Sequence, residues 1–578
     1  MLSPKYFIYL AFNKYQQSKI EITSNPRIDA YLLYESGYQQ LHLLEPPLPI
    51  WMAEYILNKL QKYDNWTVNK FQKSAACLLN EISSCIKLNH RNYDVLELNP
   101  LEFEPPDLTS LLWGRSLLGT EIPELIKNSG FDLPWDPEDW LQYFYLHNQI
   151  RREAAVTIDS LGLPFCRRCG ERKLIMEDNC LFCGNPHCYT CTNCQSMGLA
   201  KSCTPLYSQS YPNSPKVKSV IKPKLDFELT PPQQRAAMEV EKFLDTDNKE
   251  FLVWAVCGGG KTEVSFAAVA KVLSEGGRVL FAIPRKDVVI ELLPRFQQAF
   301  PDISISSLYG GSDERFEDTQ LTIATTHQCL RFYQGFDLII LDEADAYPYQ
   351  GSAMLHYAVT RSLKPGGCLV IMTATPDKTL IQRTKNRKLP FVSIPARPHR
   401  KPLIVPKLTK TLPNILNINK DWTPPEIVQE FLRELKNSGR KGMIFLPTIR
   451  LIEEIGAQIV KWAAQEGLTG DFTHSKADNR NEIKRKLLAG EYQFVVTSTI
   501  FERGITIPNL DVMVLFADNQ RIFDSRSLIQ IAGRAGRKGE AAKVIFIGKS
   551  ISAAMKEAVQ IVKDMNEEGF RLGYLDRT

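Results

Sequence analysis

Residues 251–262 read Phe-Leu-Val-Trp-Ala-Val-Cys-Gly-Gly-Gly-Lys-Thr, and the segment that follows, Glu263–Ser274, is rich in alanine and valine. An unbroken apolar run without alternation fits a strand buried on both faces, and the Ala/Val-rich segment fits a helix. Three glycines at the turn between them let backbone N–H groups approach an anion at the helix N-terminus. Lys261 then stands where a cation neutralises the β- and γ-phosphates of a nucleotide, and Thr262 where a hydroxyl ligates magnesium. Gly258, Gly259, Gly260, Lys261 and Thr262 are therefore the candidate site for ATP and Mg2+. Ala255 occupies the place of the pattern's first glycine, so a glycine-rich turn without nucleotide stays open on this stretch alone.

A second stretch narrows the reading. Phe336–Leu341 (FDLIIL) is another buried strand, and it ends in Asp342-Glu343-Ala344-Asp345. Acids at the carboxyl end of a parallel strand sit at the crevice where ligands bind. Asp342 is placed to hold the magnesium through water, and Glu343 to orient and deprotonate the attacking water. An acidic run is otherwise a solvated face; after a buried strand, downstream of a phosphate-binding turn, it fits catalysis better. From Leu229 onward short apolar strands alternate with helical patterns, which predicts an α/β fold with parallel sheets.

The chain has 578 residues, 44% hydrophobic and 23% charged, which suggests three or four globular domains. No apolar run approaches the roughly 18 residues that span a bilayer. Tyr6–Phe12 is apolar but short, and no small-residue cleavage site follows, so it reads as a strand or buried segment. A cytoplasmic protein is expected. Residues 1–165 carry 14 Lys+Arg against 20 Asp+Glu, a net charge of −6, which leaves +11 for the remainder. A surface for nucleic-acid phosphates is expected in the later part of the chain.

The divisions expected are an accessory domain at 1–165, mainly helical and interrupted at Glu45–Pro49; a cysteine-rich zinc-binding module at 166–204; a basic linker at 205–226; and two lobes at 227–400 and 401–578. Eight of 13 cysteines fall between 166 and 203. Cys166/Cys169 and Cys180/Cys183 form C-x-x-C pairs followed by glycine; Cys188, Cys191, Cys194 and Cys203 complete the cluster. Paired thiolates at this spacing grip a tetrahedral ion from a tight turn, and disulfides are the weaker reading for a cytoplasmic chain. The first choice is one Zn2+ held by Cys166, Cys169, Cys191 and Cys194, with a second, interleaved site of Cys180, Cys183, Cys188 and Cys203. One zinc with spare thiols stays open, because spacing alone does not decide connectivity.

Further motifs carry a resemblance. The DEAD sequence, Thr373-Ala374-Thr375, Leu229–Gln233, Thr499–Pro508 (TIFERGITIP) and Gln530–Arg537 (QIAGRAGR) resemble, in order and spacing, the motifs of superfamily 2 helicases. The resemblance implies two tandem RecA-like lobes. It also implies that Gln233 reads adenine, that Arg534 and Arg537 reach across from the second lobe as arginine fingers, that Thr373 and Thr375 couple hydrolysis to lobe closure, and that Arg503 and Gly504 lie at the lobe interface. The paired cysteines with AVCGGGKTE, PRKDVVIELLPR, LYGGSDE, DEADAYPY and PARPHRKPL further resemble the ComFA family of late competence proteins. That family implies a cytosolic ATPase that helps bring single-stranded DNA into the cell. It also implies a membrane DNA-uptake channel and a phosphoribosyltransferase-like competence protein as partners, and a place at the inner face of the membrane. The eight-cysteine module is richer than the four-cysteine family form, and residues 1–165 are expected to be an extension outside the family.

Between Lys378 and Lys420 there are 11 Lys+Arg and no acid. A basic, proline-punctuated stretch beside the cleft suits phosphate contacts, so Arg397, Arg400 and Lys401 are expected to bind the strand; the alternative is a solvated linker. The leading expectation is a DNA-stimulated ATPase that translocates on single-stranded DNA during uptake. A replication-restart or repair helicase, and a nucleotide-binding zinc scaffold, are the alternatives.

Overall fold

The computed structural model describes residues 5–83, 85–98, 106–131, 136–159, 161–212, 219–312, 314–410, 423–498 and 507–576. Two parallel sheets organise the chain from residue 250 onward. The first has seven strands in the order Ile305–Leu308, Leu321–Thr325, Val279–Ile283, Phe336–Leu341, Leu363–Thr373, Glu250–Ala255, Phe391–Ile394. Its inner strands Val279–Ile283 and Phe336–Leu341 and the buried half of Leu363–Thr373 are mostly apolar because both faces are covered. One face packs on the helices Pro231–Phe243, Lys261–Ser274 and Lys286–Ala299 around Phe266, Phe281, Phe296 and Phe300. The second sheet has six strands, in the order Lys407–Lys410, Val544–Gly548, Leu510–Leu515, Lys441–Phe445, Phe494–Thr497, Gly470–Thr473. Helices cover both its faces as well. The expected division between the lobes at 400/401 falls inside the connection that runs from Ile394 to Lys407.

The other face of the first sheet is closed by helix Ala353–Ser362 and by the N-terminal part of the chain. Leu118, Val156, Cys166 and Cys194 share one core with Leu280 and Ile339 of the sheet. Glu121, buried, accepts from Arg168 Nη2 of the cysteine segment at 3.0 Å and from Arg331 Nε of the first lobe at 2.8 Å. Tyr333 N donates to Gly114 O at 2.8 Å. The cysteine-rich unit is thus built onto the first lobe rather than tethered to it.

Beside its helices, the accessory region carries a four-stranded antiparallel sheet, ordered Ser18–Thr23, Lys5–Asn13, Tyr38–Pro49, Asn89–Asp94. Tyr6–Phe12 is its central strand, as its apolar run suggested, but Glu45–Pro49 is not a break. Pro46 and Pro47 lie where the register against Lys5–Asn13 shifts between Tyr6 and Ile8, and an irregularity of this kind tolerates residues that cannot donate to the ladder. The boundaries at 165/166 and 204/205 are not breaks in packing either. Pro205–Gln209, assigned to a linker, pairs with Arg115–Leu118 on one side and Arg151–Ala154 on the other, so the cysteine segment is an insertion between strands of one sheet. The following residues run along the first lobe, with Ser219 N bonded to Ser274 O and Lys224 N to Ala299 O. Among the described residues no helix is long and apolar enough to cross a membrane.

Candidate active site and metal centres

Strand Glu250–Ala255 delivers the chain into a turn in which Gly258 (φ +79°) and Gly260 (φ +77°) adopt left-handed conformations, and helix Lys261–Ser274 starts directly after it. The helix N-terminus therefore opens onto a glycine cradle, the fit that a polyphosphate requires. A Cβ on Gly260 would lie 2.1 Å from Gln233 Nε2. Gln233 itself is buried: Nε2 donates to Gly259 O at 3.0 Å, while Oε1 accepts from Thr230 N and Thr230 Oγ1, each at 2.9 Å. The Thr-Pro-Pro-Gln sequence is a capping box for helix Pro231–Phe243, and the residue expected to read adenine also ties that cap to the phosphate-binding turn. A Gly260→Ala variant combines a left-handed alanine, about 1–2 kcal/mol, with this clash. It is expected to weaken nucleotide binding at least tenfold, measured by titration with a fluorescent ATP analogue.

Across the sheet, Asp342 and Glu343 emerge from strand Phe336–Leu341. Asp342 is buried, and burial raises its carboxyl to about 6, with the nearby Lys261 charge opposing and Glu343 and Asp345 reinforcing. Glu343 takes a left-handed conformation (φ +52°), and its N–H donates to Asp342 Oδ1 at 2.8 Å. Buried Thr262 and Asp342 suit a magnesium ion, which supplies charge neutralisation for the phosphates when bound.

Asp345 received no role at the sequence level, yet it organises the site. Its Oδ1 accepts from Thr373 Oγ1 and its Oδ2 from Thr375 Oγ1, each at 2.6 Å, and Oδ2 also accepts from Gln530 Nε2 of the second lobe at 3.3 Å. Cys257, in the phosphate turn, donates its thiol to Gln530 Oε1 at 3.1 Å and packs within the second lobe's core. The two threonines expected to couple the lobes thus share one carboxylate with the first residue of QIAGRAGR. Gln530 could have been singled out, since it opens the most specific motif in the chain. Arg534 is buried. Arg537 Nε donates to Gly533 O at 3.2 Å. Burial pulls the Arg537 guanidinium down from its ordinary range, and Cys257, Glu291 and Glu343 of the first lobe oppose that shift. Arg503 and Gly504 lie outside the described residues.

The expected strand-binding set is corrected at Arg397. It is 3% exposed, and its guanidinium is engaged by four backbone carbonyls, those of Cys257, Gly533, Ala535 and Gly536, at 2.8–2.9 Å. A side chain so enclosed is closed to a phosphate on a bound strand. Arg400 is exposed but paired with Asp576 at 3.0 Å, and its Nη2 donates to Gly573 O at 3.2 Å. Lys401 is exposed. The basic stretch runs through helix Lys378–Lys385 and strand Phe391–Ile394 of the first lobe, the connection between lobes and strand Lys407–Lys410 of the second, and its last part, 411–420, lies outside the described residues.

The eight cysteines form two buried groups, Cys166/Cys169/Cys191/Cys194 and Cys180/Cys183/Cys188/Cys203, the sulfurs of each lying within 4.8 Å of one another. Cys166–Cys194, Cys169–Cys191 and Cys180–Cys203 stand at 3.9, 3.5 and 3.8 Å. Four thiolates about 2.3 Å from one zinc stand about 3.8 Å apart, whereas a disulfide needs about 2.05 Å. Each group therefore suits one tetrahedral zinc, and Lys201 Nζ, 3.7 Å from Cys180 Sγ, offsets part of the thiolate charge at the second.

A lysine and two acids on one parallel-sheet lobe, closed by a glutamine- and arginine-bearing turn from a second such lobe, define a helicase-type ATP-hydrolysing enzyme. Comparison with known proteins places the chain within that class. Residues 226–378 match the family described as type III restriction enzyme, res subunit, 424–539 the helicase conserved C-terminal domain, and 102–208 the competence protein ComFA N-terminal domain. Competence protein ComFA of Bacillus subtilis strain 168 is 34% identical over 463 residues, 80% of this chain and 95% of that protein. ComFA of Streptococcus pneumoniae R6 is 34% identical over 439 residues, 74% of this chain and 98% of that protein. Among solved structures, the Mycobacterium smegmatis helicase Lhr bound to ssDNA and AMP-PNP aligns with a TM-score of 0.45 at 16% identity, over 58% of this chain and 48% of that one. The chain belongs to the ComFA family, as a competence-related helicase-like ATPase. The match at 102–208 corrects the expectation that all of 1–165 stands outside the family.

Proposed function

We propose that this chain is a DNA-stimulated ATPase that translocates on single-stranded DNA and drives its uptake in natural transformation. The observation that carries the reading is the junction of the lobes: Gln530 of the second lobe bonds at once to Asp345 and Cys257 of the first, so any change at the nucleotide is felt by both. Two lobes hinged on a phosphate site can grip a sugar–phosphate backbone and shift it as they open and close, with little preference for sequence. The ComFA relatives, covered almost entirely by this chain, supply the competence setting. Single-stranded DNA, a membrane DNA-uptake channel at the inner face of the membrane and a phosphoribosyltransferase-like competence protein are the proposed partners.

ATP binds on Gly258–Thr262 with Gln233 behind them. Lys261 holds the β- and γ-phosphates, Asp342 and Thr262 the magnesium site, and Glu343 takes the proton of the attacking water. Arg534 and Arg537 stabilise charge on the transferred phosphoryl group, and Thr373 and Thr375 pass the change through Asp345 to Gln530. Arg503 and Gly504 keep the coupling role that the motif resemblance implies, and Arg400 and Lys401 remain proposed strand contacts. The test is arrival time on end-labelled single strands of increasing length, set beside separation of a blunt duplex. Arrival times proportional to length without duplex separation support translocation; duplex separation favours the restart-helicase reading, and turnover-free binding the scaffold.

We assign the two cysteine groups as structural zinc sites with no open coordination position. Metal analysis of the purified chain is expected to give about two zinc per chain, falling to about one in Cys188→Ser. One equivalent in the wild type, unchanged by that substitution, contradicts the second site.

A further inference from the structure

We infer that Arg397 is a positioning residue for ATP hydrolysis: its guanidinium joins the phosphate-binding turn to the turn that carries Arg534 and Arg537, and so sets how far those two arginines reach. This rests on the ATPase assignment above.

The contacts are specific in kind and direction. Nε donates to Cys257 O at 2.9 Å on the first lobe. Nη1 donates to Ala535 O and Gly536 O, both at 2.8 Å, and Nη2 to Gly533 O at 2.9 Å on the second. The three second-lobe carbonyls follow helix Ser525–Ala532, where unpaired C=O groups and the negative end of the helix dipole gather. A planar guanidinium can serve several such carbonyls at once, which a lysine ammonium on a flexible stem cannot do in the same geometry.

The junction it spans has no slack. A Cβ on Gly533 would meet Cys257 Cβ at 2.5 Å and Sγ at 2.8 Å, so the backbone between Gln530 and Arg534 lies directly on the phosphate turn. Arg397 is itself aimed by its own segment. Arg400 is tied to Gly573 and Asp576, and Leu403 exchanges two hydrogen bonds with Asn566, at 2.8 and 2.9 Å. The connection between the lobes is thereby anchored on the second lobe, while Arg397 reaches back to the first. It acts on chemistry only through Arg534 and Arg537, whose turn it holds.

The experiment compares steady-state ATP hydrolysis and fluorescent-nucleotide binding in the full-length wild type, Arg397→Ala, Arg397→Lys and Gly533→Ala, all with single-stranded DNA. A misplacement near 1 Å costs about 10²-fold, and Arg397→Ala is expected to lose kcat on that scale with nucleotide affinity within about threefold of wild type. Free guanidinium at millimolar concentration restores part of the loss, while Arg397→Lys stays low. Gly533→Ala, which pushes the same turn off the phosphate turn without touching Arg397, shows the same loss of kcat with nucleotide affinity held, and it decides the matter if Arg397→Ala fails to fold. Recovery of Arg397→Ala by guanidinium, or the same split in Gly533→Ala, supports the assignment. Unchanged kcat in Arg397→Ala, a loss that guanidinium does not reverse, or wild-type kcat in Gly533→Ala overturns it. A wild type without ATP turnover would instead remove the ATPase assignment itself, a separate failure.

Discussion

The Arg537→Ala variant is expected to lose about 10³- to 10⁵-fold in kcat for ATP hydrolysis while still binding nucleotide, the scale on which an arginine finger acts in phosphoryl transfer. Charge builds on the transferred phosphoryl group only in the transition state, so a cation that meets it there raises kcat and leaves ground-state affinity nearly untouched. Arg537 is suited to this role because it belongs to the second lobe's QIAGRAGR motif while Cys257, Glu291 and Glu343 of the first lobe partly oppose the downward pull of burial on its guanidinium. Its Nε is held by Gly533 O, which places the planar end rather than leaving it to sample solvent. Steady-state turnover beside titration with a fluorescent ATP analogue checks the split: kcat falls and Kd holds. Equal loss of both would mean that Arg537 serves ground-state binding.

Glu343→Gln is expected to lower kcat by about 10²- to 10⁴-fold, the usual worth of a positioned general base. Glutamine keeps the shape and the left-handed backbone at this position (φ +52°) and the bond from its N–H to Asp342; only the capacity to take a proton is lost. ATP should therefore still bind and close the site without being consumed. A single-turnover measurement with labelled ATP reads this directly, as nucleotide retained on the protein and not converted. Turnover within about threefold of wild type would exclude Glu343 as the base.

Much of this architecture is legible in the residues because the deciding features are local. FLVWAV and FDLIIL are apolar without alternation, which only a strand covered on both faces requires, and the glycines and acids at their carboxyl ends fall where a parallel sheet opens its crevice. The cysteine spacing likewise anticipates the two groups of sulfurs. What composition cannot convey is the partner of a charge. Arg397 sits in a stretch rich in lysine and arginine, and its neighbours suggest phosphates. Its actual partners are four backbone carbonyls, all of them 136–140 positions away and none marked by any side chain. Asp345 was hidden for a similar reason: a carboxylate that gathers two threonines and a glutamine from distant motifs looks, in the sequence, like the tail of an acidic run. The N-terminal sheet was obscured by Pro46 and Pro47, which ordinarily end a strand and here occupy its irregularity.

The central claim is that nucleotide chemistry in the first lobe and strand binding across both lobes are one coupled process. ATP hydrolysis by the purified wild type, measured with and without single-stranded DNA and repeated with Lys261→Ala, tests it most directly. The account predicts turnover that rises at least about tenfold with the strand and falls to background in the variant under both conditions. Turnover indifferent to DNA, or equal in the wild type and Lys261→Ala, would contradict it.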